Sequence, residues 1–128
     1  MILLPGIFVF GSNLAGRHGK GAAAHARVHY GAETGVGRGR TGQAYALPTK
    51  DENLRTLPRH KVHEEIGLFV AYANDHLDLT FFLTPVGTGL AGHGRRDIWK
   101  AFADLGLPPN VALTSSWLDP GAVPGGPQ

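Results

Sequence analysis

The sequence predicts an α/β layered fold with a largely parallel sheet, and three observations carry the prediction. Short apolar runs alternate with segments of helical periodicity. Two of the runs break directly into glycine-rich loops, Gly11-Ser-Asn-Leu-Ala-Gly-Arg-His-Gly-Lys-Gly21 and Gly87-Thr-Gly-Leu-Ala-Gly-His-Gly94. Both loops, and Lys50, fall at the carboxyl ends of predicted strands, where sheets of this class bind their ligands.

Ile7, Phe8, Val9 and Phe10 form the first buried strand. After its loop, Gly19–Tyr30 reads as a helix of small residues. Ala22, Ala23, Ala26 and Val28 are available for close packing, and Gly31 is a C-terminal stop. Residues 31–42 have no period and predict a mobile loop. Gln43–Pro48 is a short strand leading into Thr49 and Lys50. Thr56-Leu-Pro58 signals a helix start with Thr56 as N-cap. Val62, Ile66, Phe69, Val70 and Ala73 then repeat at helical spacing as far as Asn74. Leu77–Val86 is nearly all apolar, as expected of a central strand covered on both faces. Beyond the second glycine loop, Arg95–Leu105 is a short helix with Ile98, Trp99, Phe102 and Ala103 facing inward, and Asn110–Leu113 is a last strand. Residues 1–118 therefore make a single domain. Residues 119–128, DPGAVPGGPQ, have nothing to bury and predict a disordered tail.

Composition narrows the function classes. The absence of cysteine excludes a disulfide framework and thiol chemistry, and fits a reducing, cytoplasmic setting. The start lacks a basic and apolar leader, and no run is long enough to span a bilayer, so no membrane role is expected. A net charge of +2 does not argue for general nucleic-acid binding. The placement of the cations says more: Arg17, Lys20, Arg38, Arg40 and Lys50 all sit in or beside loops.

The glycine loops are expected to face each other across one pocket and to bind an anion. A strand that runs through glycines into a helix leaves backbone N–H groups unpaired at the positive end of the helix dipole. Neither standard nucleotide motif is satisfied. Gly11-x-x-x-x-Gly16 is followed by Arg17-His18, not by the Lys-Ser/Thr of a P-loop. Gly19-x-Gly21-x-x-Ala24 lies too far past the strand for a dinucleotide fingerprint and lacks an acidic residue at the ribose distance. His25 with His29, and His60 with His63, are spaced to share a metal, but neither pair brings a third ligand, and no metal is expected. His18 and His93 differ because each lies inside a glycine loop, where an imidazole can hydrogen-bond phosphate or act as acid or base.

The segments FGSNLAGRHGKGAAAHARVHYGA and TPVGTGLAGHG resemble the two ligand loops of macro domains, the first meeting ribose and the second wrapping a diphosphate. YALPTKDENLRTLPRHKVHEEI resembles the strand, lysine and helix of the lysine-dependent branch. That branch includes terminal ADP-ribose glycohydrolases and macro antitoxins that remove ADP-ribose from DNA. The overall similarity is greatest to short macro-like proteins of phages and bacteria, and covers about residues 6–114. The resemblance implies a three-layer fold with a mixed, mostly parallel sheet flanked by helices. It places Asn13 on the distal ribose, Gly19, Lys20 and Gly21 along ribose and diphosphate, and Gly87, Thr88, Gly89 and Leu90 around the diphosphate. Gly11, Ser12, Thr49, Ala91 and Gly92 complete the implied ligand-binding set. Lys50 would attack the ribose anomeric carbon, with His18 and His93 as further candidate catalytic groups. The branch carries an aspartate directly after its G-x-G-L, where this chain has Ala91. The expected function is binding of ADP-ribose or a related NAD-derived nucleotide, free or on protein or DNA, with hydrolysis of an ADP-ribosyl linkage and no cofactor. The alternatives are a non-catalytic reader or sequestering module and, third, a single-stranded nucleic-acid binder using Arg17, Lys20, Arg38 and Arg40. Few aromatics accompany those cations.

Overall fold

The computed structural model describes residues 6–89 and 91–118; the first five residues, Leu90 and the predicted tail from Asp119 lie outside them. In chain order the described elements are β1 (Gly6–Asn13), α1 (Gly21–Tyr30), β2 (Gly39–Thr41), β3 (Ala44–Lys50), α2 (Arg59–Asn74), β4 (Thr80–Leu83), α3 (Arg95–Leu105) and β5 (Val111–Leu113). A single turn of 3-10 helix at Ser115–Trp117 follows. The strands form one sheet in the order β2-β3-β1-β4-β5. Every pairing is parallel except that of the β2 edge with β3.

Alternation along the central strand distributes its side chains between two layers. Ile7 and Val9 join Tyr45, Leu47, Phe81 and Leu83 against α2 and α3, whose Val62, Ile66, Phe69, Ile98 and Phe102 complete the larger core. Phe8 and Phe10 point the other way, with Ala44 and Ala46, onto Ala23 and Ala26 of α1. The alanines let α1 lie close to the sheet, and Tyr30 covers Phe8 in a stacked contact at 4.7 Å. The predicted stripe of α2 is buried at all five positions. Among the described residues no helix is long and apolar enough to cross a membrane.

Several local expectations are corrected. β1 does not stop at Phe10 but pairs with β3 through Asn13 opposite Lys50, because tertiary pairing overrides the weak strand preference of Gly-Ser-Asn. Residues 31–42 are not a free loop: they contain β2, with Arg40 opposite Tyr45. Thr56 does not cap α2. Its hydroxyl donates to Ala91 O at 2.9 Å, and α2 starts after Pro58 without a side-chain cap. The predicted strand Leu77–Val86 contracts to Thr80–Leu83. Leu79 is still held in a turn with His76, and Pro85 brings no N–H to a ladder. On α3 the inward face is Ile98, Ala101 and Phe102, whereas Trp99 and Ala103 face solvent. Val28 of α1 is also exposed.

One ion pair ties the β2 edge to the helical layer. Arg38 donates from Nε and Nη2 to the carboxylate of Glu65, the Nε bond measuring 2.9 Å. Glu65 is buried on α2, and it faces the phenol of Tyr45. Burial, reinforced by the Glu65 charge, pushes that phenol up to about 12 from its ordinary 10.0. A raised acid pKa leaves its stability contribution complete below the unfolded value, and the contribution is lost as pH climbs through the folded one. Between pH 8 and 11 the protein should therefore lose about 1 kcal/mol that a Tyr45→Phe variant keeps. Urea denaturation of both proteins at the two pH values checks this; equal losses would contradict it.

Candidate functional site

The carboxyl ends of β1 and β3 and the exit of β4 open onto one cleft of about 350 Å³. Gly11, Ser12 and Asn13 come from β1, Thr49 and Lys50 from β3, and Thr84 to Gly87 follow β4. Gly19 to Ala23, which lead into and begin α1, complete one wall. α1 has Lys20 as N-cap and no side-chain cap, so the unpaired N–H groups of its first turn are directed at the cleft. Three cationic side chains line the space: Arg17, Lys20 and Lys50. Among the described lining residues there is neither a carboxylate nor an imidazole. Positive side chains, a helix N-terminus and glycine backbone together suit an anionic ligand.

The first loop is shaped from behind by the segment that sequence reading left without structure. Asn13 turns its carboxamide onto the peptide of Arg17, donating from Nδ2 to Arg17 O and accepting at Oδ1 from Arg17 N, both at 2.9 Å. This places Arg17 on the cleft wall. Ser12 donates its hydroxyl to Gly37 O, and Gly35 N donates to Gly16 O at 2.8 Å. Gly16 has φ +71, and a Cβ there would overlap the backbone of Gly35 and Val36, so the two loops meet backbone to backbone. His18 is part of this support. It is buried, its Nε2 lies 3.1 Å from Val36 O, and its ring sits edge-on to Phe10. The structure thus sets His18 behind the cleft, outside the lining residues.

The second loop is a tight turn over the sheet end. His93 N donates to Gly87 O at 2.8 Å and Gly92 N to Gly89 O at 3.0 Å. The Thr88 hydroxyl donates to Pro85 O at 2.6 Å. Gly87, Gly89 and Ala91 line the cleft; Thr88, Gly92 and His93 do not, and Leu90 lies outside the described residues. Gly87 is also where the two loops touch: a Cβ on Gly11 would come to 3.2 Å from Gly87 N.

Lys50 is half-buried at the end of β3, beside the first loop, with its carbonyl accepting from Leu14 N at 3.0 Å. Its neighbour Asp51 is not among the lining residues, and its Oδ1 accepts from Asn53 N and Arg55 N within the following turn. Seven cleft residues stand outside the candidate set drawn from the sequence: Arg17, Ala22, Ala23, Leu54, Thr84, Pro85 and Val86. The first three were open to inference from their place in the loop and first helical turn. Leu54, in a polar stretch, carried no signal.

No family model matches this chain, and no curated protein matches it. Solved structures do. The macrodomain of Mycobacterium tuberculosis DarG superposes with a TM-score of 0.57 at 18% identity, over 87% of this chain and 88% of that one. A protein of unknown function from Bacteroides thetaiotaomicron superposes with a TM-score of 0.53 at 15% identity, over 88% of each chain. The architecture is a layered α/β domain with a ligand cleft at the strand ends. More particularly, it is a macro-domain fold.

Gly87 provides a direct check on the loop junction. Its φ is +76, and a Cβ would lie 3.1 Å from Thr49 Cγ2 and 3.3 Å from His93 Cδ2. Gly87→Ala is expected to destabilise the protein by about 1–3 kcal/mol. Gly19→Ala is the control, since a Cβ there meets nothing within 4 Å, and it should leave the denaturation midpoint almost unchanged.

Proposed function

We propose that the cleft binds ADP-ribose or a related NAD-derived nucleotide. The observation that carries this reading is the lining itself: two glycine loops and the uncapped start of α1 converge with Arg17, Lys20 and Lys50, without a facing carboxylate. In this reading the first turn of α1 and the backbone at Gly87 and Gly89 hold the diphosphate, with Lys20 and Arg17 beside it. Asn13 holds the loop that meets the distal ribose. The macro-domain resemblance supplies the nucleotide; the cleft supplies the fit to its charge. Calorimetry with ADP-ribose, AMP and NAD tests it. Micromolar binding that favours ADP-ribose is expected, and no heat at millimolar ligand would refute it.

The enzymatic form of this reading is hydrolysis of an ADP-ribosyl linkage, with the Lys50 amine attacking the ribose anomeric carbon as the linkage breaks. Among the described lining residues Lys50 and Lys20 are the amines, and Lys50 stands at a strand end, next to the loop assigned to ribose. The non-catalytic form, a reader or sequestering module, is favoured by a separate observation. Ala91 occupies the wall where the lysine-dependent branch has its aspartate, and no other described lining residue offers a carboxylate or imidazole to move the proton. A Lys50→Ala variant separates the two. If Lys50 acts, turnover of an ADP-ribosylated substrate should fall by about a thousandfold while ADP-ribose binding largely persists. Unchanged turnover would remove Lys50 from the chemistry.

The nucleic-acid reading finds less support. Arg38 is committed to Glu65, Arg40 Nε donates to Gly42 O at 3.1 Å, and Arg17 and Lys20 face the cleft, so the four cations do not form one track.

A further inference from the structure

Leu54 is the single described non-glycine residue with a left-handed backbone, at φ +63. A large apolar side chain is unfavourable there, and positions of this kind gather where a ligand is held. The turn that imposes the conformation is built by its neighbours. Asp51 N donates to Arg55 O at 2.8 Å, Leu54 N to Asp51 O at 3.1 Å, and the Asp51 carboxylate takes Asn53 N and Arg55 N. A bridge between Lys50 and Thr56 closes its base, so the turn is a stiff hook projecting from the end of β3.

What the hook presents is out of character with the turn. Asn or Gly would adopt the same backbone at lower cost. The leucine gains nothing from the interior: it belongs to neither apolar core and is 41% exposed. Leu54 does line the cleft, where it is the largest apolar residue among the described lining; Pro85, Val86 and three alanines are the smaller ones, and the rest are polar, cationic or glycine. Phosphate and sugar hydroxyls have no use for such a surface. A flat heterocycle does, because its faces are apolar although its edge is polar.

We propose that Leu54 is a specificity residue of the cleft, packing on the face of a heterocyclic base joined to the ribose–diphosphate. The inference rests on the nucleotide reading above. It names the part of the ligand that the glycine loops and cations do not account for. Two sources of the base share this chemistry: the adenine of ADP-ribose, or a second base attached to the distal ribose.

The test is calorimetry on the full chain with three probes, ADP-ribose, NAD and inorganic pyrophosphate, for the native protein and for Leu54→Asn, Leu54→Ala and Leu54→Met. Leu54→Asn relieves the backbone and so keeps the fold; Leu54→Met keeps an apolar side chain. Loss of the contact should weaken nucleotide binding by about tenfold in the Asn and Ala variants, with Met close to native. Pyrophosphate binding should not change. If ADP-ribose and NAD weaken alike, the base is adenine; if NAD alone weakens, it is the attached base. Native-like nucleotide binding in the Asn and Ala variants would overturn the assignment and leave Leu54 a feature of the turn. A parallel loss for pyrophosphate would overturn it as well, since the effect would then be a general disturbance of the cleft. Failure of the native protein to bind either nucleotide, with pyrophosphate retained, would overturn the nucleotide reading itself and the role of Leu54 with it.

Discussion

The contact on which the cleft depends is backbone against backbone, between the turn at residues 14–17 and the segment 35–37. It is made possible by glycine at 16, where a Cβ would overlap Gly35. Two polar side chains then lock it, Ser12 on Gly37 and His18 beside Val36, while Asn13 braces the turn itself by bonding the Arg17 peptide. Each bond pairs a backbone group of an irregular segment that no helix or strand ladder satisfies, which is why the loop can be both irregular and fixed. The result is a first wall that holds Arg17 toward the cleft and leads into α1 at an angle that exposes its first turn.

Charge in the cleft follows from where the carboxylates are used. Glu65 is taken by Arg38, Asp97 by Arg59, Asp104 by Lys100, and Asp51 by the amides of its own turn. The exposed pairs contribute little to stability. Their effect on the site is still clear, because the described lining is left with cations, hydroxyls and N–H groups. An anion that enters meets no like charge among the described lining residues. The same distribution bears on chemistry. A lysine in a wall whose described residues include no carboxylate or imidazole suits phosphate as an ammonium, whereas a nucleophilic amine would have to lose a proton for which no described lining residue is an acceptor.

The fold class, the strand–loop–helix unit and the convergence of both glycine loops with Lys50 were legible because they rest on local patterns: apolar runs, a helical period on α2, and glycines at strand ends. Gly11, Asn13, Gly19, Lys20, Gly21, Thr49, Lys50, Gly87, Gly89 and Ala91 all reach one cleft. The differences came where a residue's surroundings were set by a partner distant in sequence. His18 and His93 look alike in their loops, yet neither is among the lining residues, and the His18 ring sits edge-on to Phe10. Thr56 read as a cap until Ala91 O claimed its hydroxyl. Residues 31–42 had no period because their three-residue strand takes its order from β3, not from their own side chains.

The sequence by itself determined the layers, the sheet class and the strand ends that open onto the cleft, since hydrophobic period and glycine placement act over a few residues. Tertiary structure decided which polar groups remain for a ligand. That question depends on pairings across 25 residues between Ser12 and Gly37, or 35 between Thr56 and Ala91. It also decided that Leu54, unremarked among charged neighbours, stands at the cleft in a left-handed turn. No local pattern encodes that position, because the turn that creates it is only directed at the cleft once β3 is seated in the sheet.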